Sequence, residues 1–227
     1  MGGGVKIGKI FGINLIVDWS WFLIFLLVAW NLSASFGQLH SDWGTSLRWG
    51  VAIGASFLFF ASVVAHELAH SLVAIWRGIP VKKITLFLFG GVSNIQREPD
   101  SPMSEFLITI VGPLTSIGLG ALIFLIASFF VADVPQNLSA SQEALTNMGP
   151  WATLLLWLAP TNILVGVFNL IPGFPLDGGR ILRSILWKIT DNLKTATRWA
   201  MYVGQVVAWG LIFAGIAMVF GVNIPIF

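Results

Sequence analysis

Between Val51 and Trp76 the chain carries one formally charged residue, Glu67. A helix that is apolar on every side has no face to offer water. A run of this length exceeds the roughly 20 apolar residues needed to cross a bilayer. Four other stretches are nearly as apolar: Ile10–Leu32, Ser104–Ala132, Trp151–Ile171 and Trp199–Val219. Lipid supplies no hydrogen-bond partners, so segments of this kind satisfy their own backbone as helices. Composition agrees: 56% of the 227 residues are hydrophobic and 10% charged, with a mean hydropathy of +0.87. An ordinary soluble domain is excluded. The expected fold class is an all-α polytopic membrane protein with five or six transmembrane helices.

The connections refine this. Ile10–Leu32 is too long for the apolar core of a signal peptide and is read as a retained helix, with Asp18 at the interface. Residues 33–47 read as a polar loop. Gly78 and Pro80 stop the second helix after Arg77. Val81–Ile95 is too short to span as a helix. Its β-branched and aromatic residues around Gly90-Gly91 predict a short membrane-associated β-hairpin, Lys83–Phe89 with Val92–Ile95. Gly112-Pro113 predicts a kink in the third helix, and Pro160-Thr161-Asn162 an interruption in the fourth. Ile181, Leu182, Ile185, Leu186 and Ile189 follow helical spacing but alternate with Arg180, Arg183 and Lys188. This helix reads as amphipathic and shallow; if it spans, the crossings number six. Residues 1–227 read as a single domain, with no loop long enough for a PDZ domain and no CBS pair.

Basic residues set the orientation. With a cytoplasmic N-terminus and five crossings, only Arg48 of the 12 Lys and Arg residues falls outside. The second and fourth spans then end on the cytoplasmic side. His66 precedes Arg77 by about 16 Å of helix, which puts it within the membrane and opens the site to the cytoplasm. The expected location is the plasma membrane.

His66-Glu67-Leu68-Ala69-His70 is the chemically pointed stretch. The two histidines lie one turn apart on one helix face, where neutral imidazoles can share a Zn²⁺. Glu67 beside them can take a proton from an attacking water. Two of the chain's three histidines and a carboxylate in an apolar run are costly to bury and are not expected to be idle. A catalytic zinc needs a third protein ligand. Val73 and Trp76 stand where an extended three-histidine motif would need Gly and His, and His40 falls on the opposite side. A carboxylate is left: Glu98, Asp100 and Glu105, in a linker or at a helix entrance where solvated charge is common, or Asp177. Asp177 follows Pro172-Gly173-Phe174-Pro175, a break that can turn backbone inward. Spacing alone leaves it divided between ligand and helix N-cap.

The pairing of His66-Glu67-Leu68-Ala69-His70 with Asn169-Leu170-Ile171-Pro172 and Leu176-Asp177-Gly178 resembles the site-2 protease family of intramembrane zinc metalloproteases. The resemblance runs from the first apolar stretch through the Asp177 helix. It implies one Zn²⁺ per chain held by His66, His70 and Asp177, with Glu67 as the catalytic base. It further implies that Asn169 lines the site and that the hairpin dips into the membrane beside it. Relatives often carry Gly-x-x-x-Asn in the third segment; here the sequence is Gly112-Pro113-Leu114-Thr115-Ser116, so Ser116 replaces the amide.

The expected reaction is hydrolysis of a peptide bond in or near the transmembrane segment of a single-span membrane protein, as in regulated intramembrane proteolysis. Ser116, Asn162 and Asn169 are candidate site-lining residues. Leu86, Phe87 and Leu88 are expected to hold extended substrate by strand addition. The alternative is a metal-ion transporter using the same cluster for transit; it needs polar groups leading to both faces, and Val51–Ala65 offers only Ser56 and Ser62. A scaffold without activity has no use for Glu67. With no cysteine there are neither disulfides nor thiolate metal sites. No basic stripe marks a nucleic-acid partner; the expected partners are the substrate and the lipid bilayer.

Overall fold

A computed structural model describes residues 4–130, 146 and 148–220. In chain order these form β1 (Gly4–Ile10), β2 (Ile13–Asp18), α1 (Trp19–Leu39), α2 (Thr45–Trp76), β3 (Val81–Phe87), β4 (Gly90–Ile95), α3 (Pro102–Ser128), α4 (Pro150–Asn169), α5 (Asp177–Thr190) and α6 (Leu193–Val219). Helices α1, α2, α3, α4 and α6 are long and apolar enough to cross a membrane. The amphipathic α5 is not among them, which leaves five candidate spans rather than six among the described residues. The loop expected over 133–149 lies mostly outside the described residues.

The expected first helix is wrong at its start. Residues 13–18 form a strand whose side chains alternate, with Ile13, Leu15 and Val17 buried. Asn14, Ile16 and Asp18 are less so, and because Ile16 is apolar too, the alternation is hidden from a hydropathy reading. Asp18 then caps α1: Ser20 N–H and Oγ–H donate to its Oδ1 at 2.9 and 2.7 Å. These hydrogen bonds hold the carboxyl below its ordinary pKa. Helix α1 also continues through the expected polar loop to Leu39, and α4 runs unbroken through Pro160. There Thr161 Oγ1 and Asn162 Nδ2 donate to the carbonyls of Trp157 and Leu158 at 2.7 and 2.9 Å, turning their polar groups back onto their own helix.

The expected hairpin exists, but as part of a four-stranded sheet in the order β1-β2-β3-β4. β2 and β3 pair in parallel, joined by the long crossover through α1 and α2. β3 and β4 are antiparallel, with Leu86 opposite Gly91 on one side and Val17 on the other. Both edges of β3 are therefore occupied at Leu86; the open edge at this end of the sheet belongs to β4.

Two buried clusters bracket the middle of α2. One joins Ile13, Leu15 and Val17 of β2 and Ile84 and Leu86 of β3 to Ala74 and Ile108. The other joins Leu32 and Phe36 of α1 to Val51, Ala52 and Ala55 of α2 and Leu154 and Leu158 of α4. His66 and His70 lie between them. Leu23, Leu26, Trp30, Phe124, Leu125, Trp209 and Phe213 are exposed, as suits side chains that face lipid.

Candidate metal centre

His66 and His70, a turn apart on α2, are 6% and 5% exposed. Their Nε2 atoms lie 3.1 Å apart, and each is 3.1 Å from Asp177 Oδ2. Among the described residues this is the one group of three or more potential ligands that converges, all within 4.8 Å.

The protons are placed by the other ring nitrogens. His70 Nδ1 is 2.6 Å from the Ile108 carbonyl, which can only accept, so Nδ1 carries the proton. His66 Nδ1 is 2.9 Å from Ser116 Oγ, which can accept in the same way. With Nδ1 protonated in both neutral rings, the two Nε2 atoms present bare lone pairs to a third on Asp177. Three lone pairs at this spacing repel unless a cation sits among them. Two imidazoles and a carboxylate, with no thiolate, suit a zinc that keeps an open position, and partners on the far ring nitrogens are the usual support of metal-binding histidines.

Helix α3 forms the back wall. Ile108, Gly112 and Ser116 recur at helical spacing on one face. A Cβ on Gly112 would overlap His70 Nε2 and lie 2.8 Å from His66 Nε2, so only glycine lets the imidazoles approach.

Asp177 is the first residue of α5, but the cap position is Leu176 and no side-chain cap bond forms there. The carboxylate faces the histidines instead. The chain reaches this point by folding back on itself: a Cβ on Gly178 would overlap the carbonyls of Leu170 and Ile171. Helix α5 is then pinned to α3 by Glu105, expected in solvent but fully buried. Arg183 donates to Glu105 Oε1 from Nη2 and, at 2.9 Å, from Nε, with Arg180 Nε 3.7 Å away. Glu98 sits 3.8 Å from Arg183, and Asp100 pairs with Arg97 at 3.1 Å. None of these three joins the metal cluster.

Glu67 projects toward β4, where Ser93 Oγ donates to its Oε2 at 2.8 Å. The other sequence candidates are not gathered by hydrogen bonds around the histidines. Asn162 is buried against Leu158 O, and Asn169 Nδ2 donates to Val165 O at 2.9 Å. Leu86 is in the sheet core, Phe87 meets Phe89 edge to face, and Leu88 N–H donates to Ser20 Oγ at 3.1 Å. Sequence reasoning missed the Ile108 carbonyl, Ser93 and the Glu105–Arg183 pair. A carboxylate at the entrance of an apolar helix was the one signal available for the last.

Comparison with known proteins points the same way. The family model described as peptidase family M50 matches residues 54–211. A Synechocystis sp. protein, sll0528, provisionally named a zinc metalloprotease, is 40% identical over 212 residues, 92% of this chain and 51% of its own. The zinc metalloprotease MJ0392 of Methanocaldococcus jannaschii is 35% identical over 216 residues, 95% of this chain and 55% of its own. The chain spans about half the length of the curated relatives it matches. The solved structure of a site-2 protease from M. jannaschii aligns with a TM-score of 0.62 at 35% identity, covering 95% of this chain and 86% of that one. With its five apolar spans and this ligand cluster, the chain is an integral membrane protein that belongs to peptidase family M50.

Proposed function

We propose that this protein is an intramembrane zinc metalloprotease that cleaves a peptide bond within or near the membrane segment of a single-span protein. The observation that carries this reading is the convergence of His66 Nε2, His70 Nε2 and Asp177 Oδ2, one residue from a carboxylate. Zinc bound there, one per chain, supplies a Lewis acid that activates water and polarises the scissile carbonyl. Glu67 takes the water's proton on its carboxylate and returns it to the departing amine. Ser116 and the Ile108 carbonyl hold the imidazoles, and Gly112 keeps the wall clear.

Substrate lies along the free edge of β4. Unwinding a membrane helix leaves backbone groups unpaired in lipid at several kcal/mol each, and a strand edge can take them up. The basic residues favour a cytoplasmic N-terminus and a site opening to the cytoplasm from the plasma membrane. Transport of metal ions is the weaker reading. Ser56 and Ser62, the polar side chains between Val51 and Ala65 of α2, donate at 2.8 and 2.9 Å to the carbonyls of Ala52 and Leu58 in their own helix. They are thus poorly placed as stepping stones. The test is purified protein in vesicles with single-span substrates. Cleavage that a zinc chelator abolishes and added zinc restores is expected; chelator-resistant cleavage, or vesicle zinc uptake without cleavage, would overturn the reading.

A further inference from the structure

The β3–β4 hairpin touches Glu67 itself. Ser93 Oγ lies 2.8 Å from Glu67 Oε2 and 3.2 Å from the Glu67 carbonyl, and Ser71 Oγ lies 2.9 Å from that carbonyl and 3.1 Å from Ser93 Oγ. Each hydroxyl has one proton to give. Ser71, four residues after Glu67, spends its own on the carbonyl. Ser93 then gives its proton to the carboxylate, the stronger acceptor. Gly91, two residues before Ser93, is on the same face of β4. A Cβ there would overlap Glu67 Cγ, so the strand can lie against Glu67 only because that position is glycine. Val92, between them, points the other way and is 52% exposed.

We propose that Ser93 is a positioning residue that holds the Glu67 carboxylate by Oε2 and leaves Oε1 to work on the attacking water. The assignment rests on the reading of Glu67 as the base. An unheld Glu side chain spreads over several rotamers, and few of them aim an oxygen at the reacting centre. The hydroxyl is itself fixed in space: β4 pairs with β3, β3 with β2, and the inner faces of β2 and β3 are packed into the core. A substrate strand on the open edge of β4 would share that frame, so a single strand aligns both the scissile bond and the base.

The test uses the full chain, zinc-loaded, in phosphatidylcholine–phosphatidylglycerol vesicles, with a single-span polypeptide carrying a Gly-Pro pair in its apolar segment. Ser93→Ala is expected to lower kcat about tenfold, the weight of one charge-assisted hydrogen bond, with KM and zinc content unchanged. Ser93→Thr, which keeps the hydroxyl and suits a strand, is expected to restore most of the loss. A parental kcat in Ser93→Ala overturns the proposal. So does a loss that falls in KM or zinc content, or one that Thr does not rescue. Glu67→Gln run alongside separates the two levels: parental cleavage by that variant would remove the base itself, whereas its inactivity beside a fully active Ser93→Ala would remove only the role of Ser93.

Discussion

Ser116→Ala should weaken zinc binding without dismantling the fold. The Ser116 hydroxyl meets His66 Nδ1 at 2.9 Å, and the residues are 1% and 6% exposed, so bulk water cannot replace it. Without metal, His66 can move its proton to Nε2 and donate to Asp177. Binding a cation returns the proton to Nδ1, where the variant offers no acceptor. The penalty therefore falls on the metal-bound state alone. A buried donor left unpaired costs about 1–3 kcal/mol, which corresponds to about 5- to 150-fold in dissociation constant. Competition with a chromophoric zinc chelator in detergent micelles reads this directly. Ser116→Asn, whose amide oxygen can accept the same proton, should stay much closer to the parent. Parental affinity in Ser116→Ala would refute the proton assignment and the support given to His66 by α3.

Gly112→Ala should abolish high-affinity zinc binding, since its methyl would occupy the space of both imidazole Nε2 atoms; a stoichiometric zinc content in the variant would contradict this. Glu105→Ala strips Arg183 and Arg180 of their buried partner and should cost about 3–5 kcal/mol, seen as a lower melting midpoint with weaker zinc binding as Asp177 loosens. An unchanged midpoint would mean the pair is incidental. For orientation, cysteines at Gly149 and Lys194, in a chain with none of its own, should label from the outside and from the cytoplasm respectively; the reverse pattern would invert the topology.

What the sequence made legible follows the range of the interactions. His66, Glu67 and His70 were readable because helical spacing is local and a carboxylate in an apolar run is conspicuous. Asp177 lies 107 residues from His70; its spacing fitted a cap equally well, and only the paired motif singled it out. The Glu105–Arg183 pair joins residues 78 apart, and the same charges read singly looked solvated. Ser93 reaches Glu67 across 26 residues, and nothing in a short polar side chain of a strand announces its partner. The N-terminal strands were lost for a different reason. In an apolar chain, alternation and helical periodicity both dissolve into uniform hydropathy, so Ile10–Leu32 read as one helix although its first part is sheet.

The central claim is a division of labour in which His66, His70 and Asp177 hold zinc and Glu67 performs the proton transfer. It is tested most directly by measuring zinc per molecule and substrate cleavage together in Glu67→Gln and Asp177→Ala. Glu67→Gln is expected to keep parental zinc and lose cleavage by orders of magnitude, and Asp177→Ala to lose both. Cleavage at the parental rate by Glu67→Gln, or full zinc affinity in Asp177→Ala, would contradict the account.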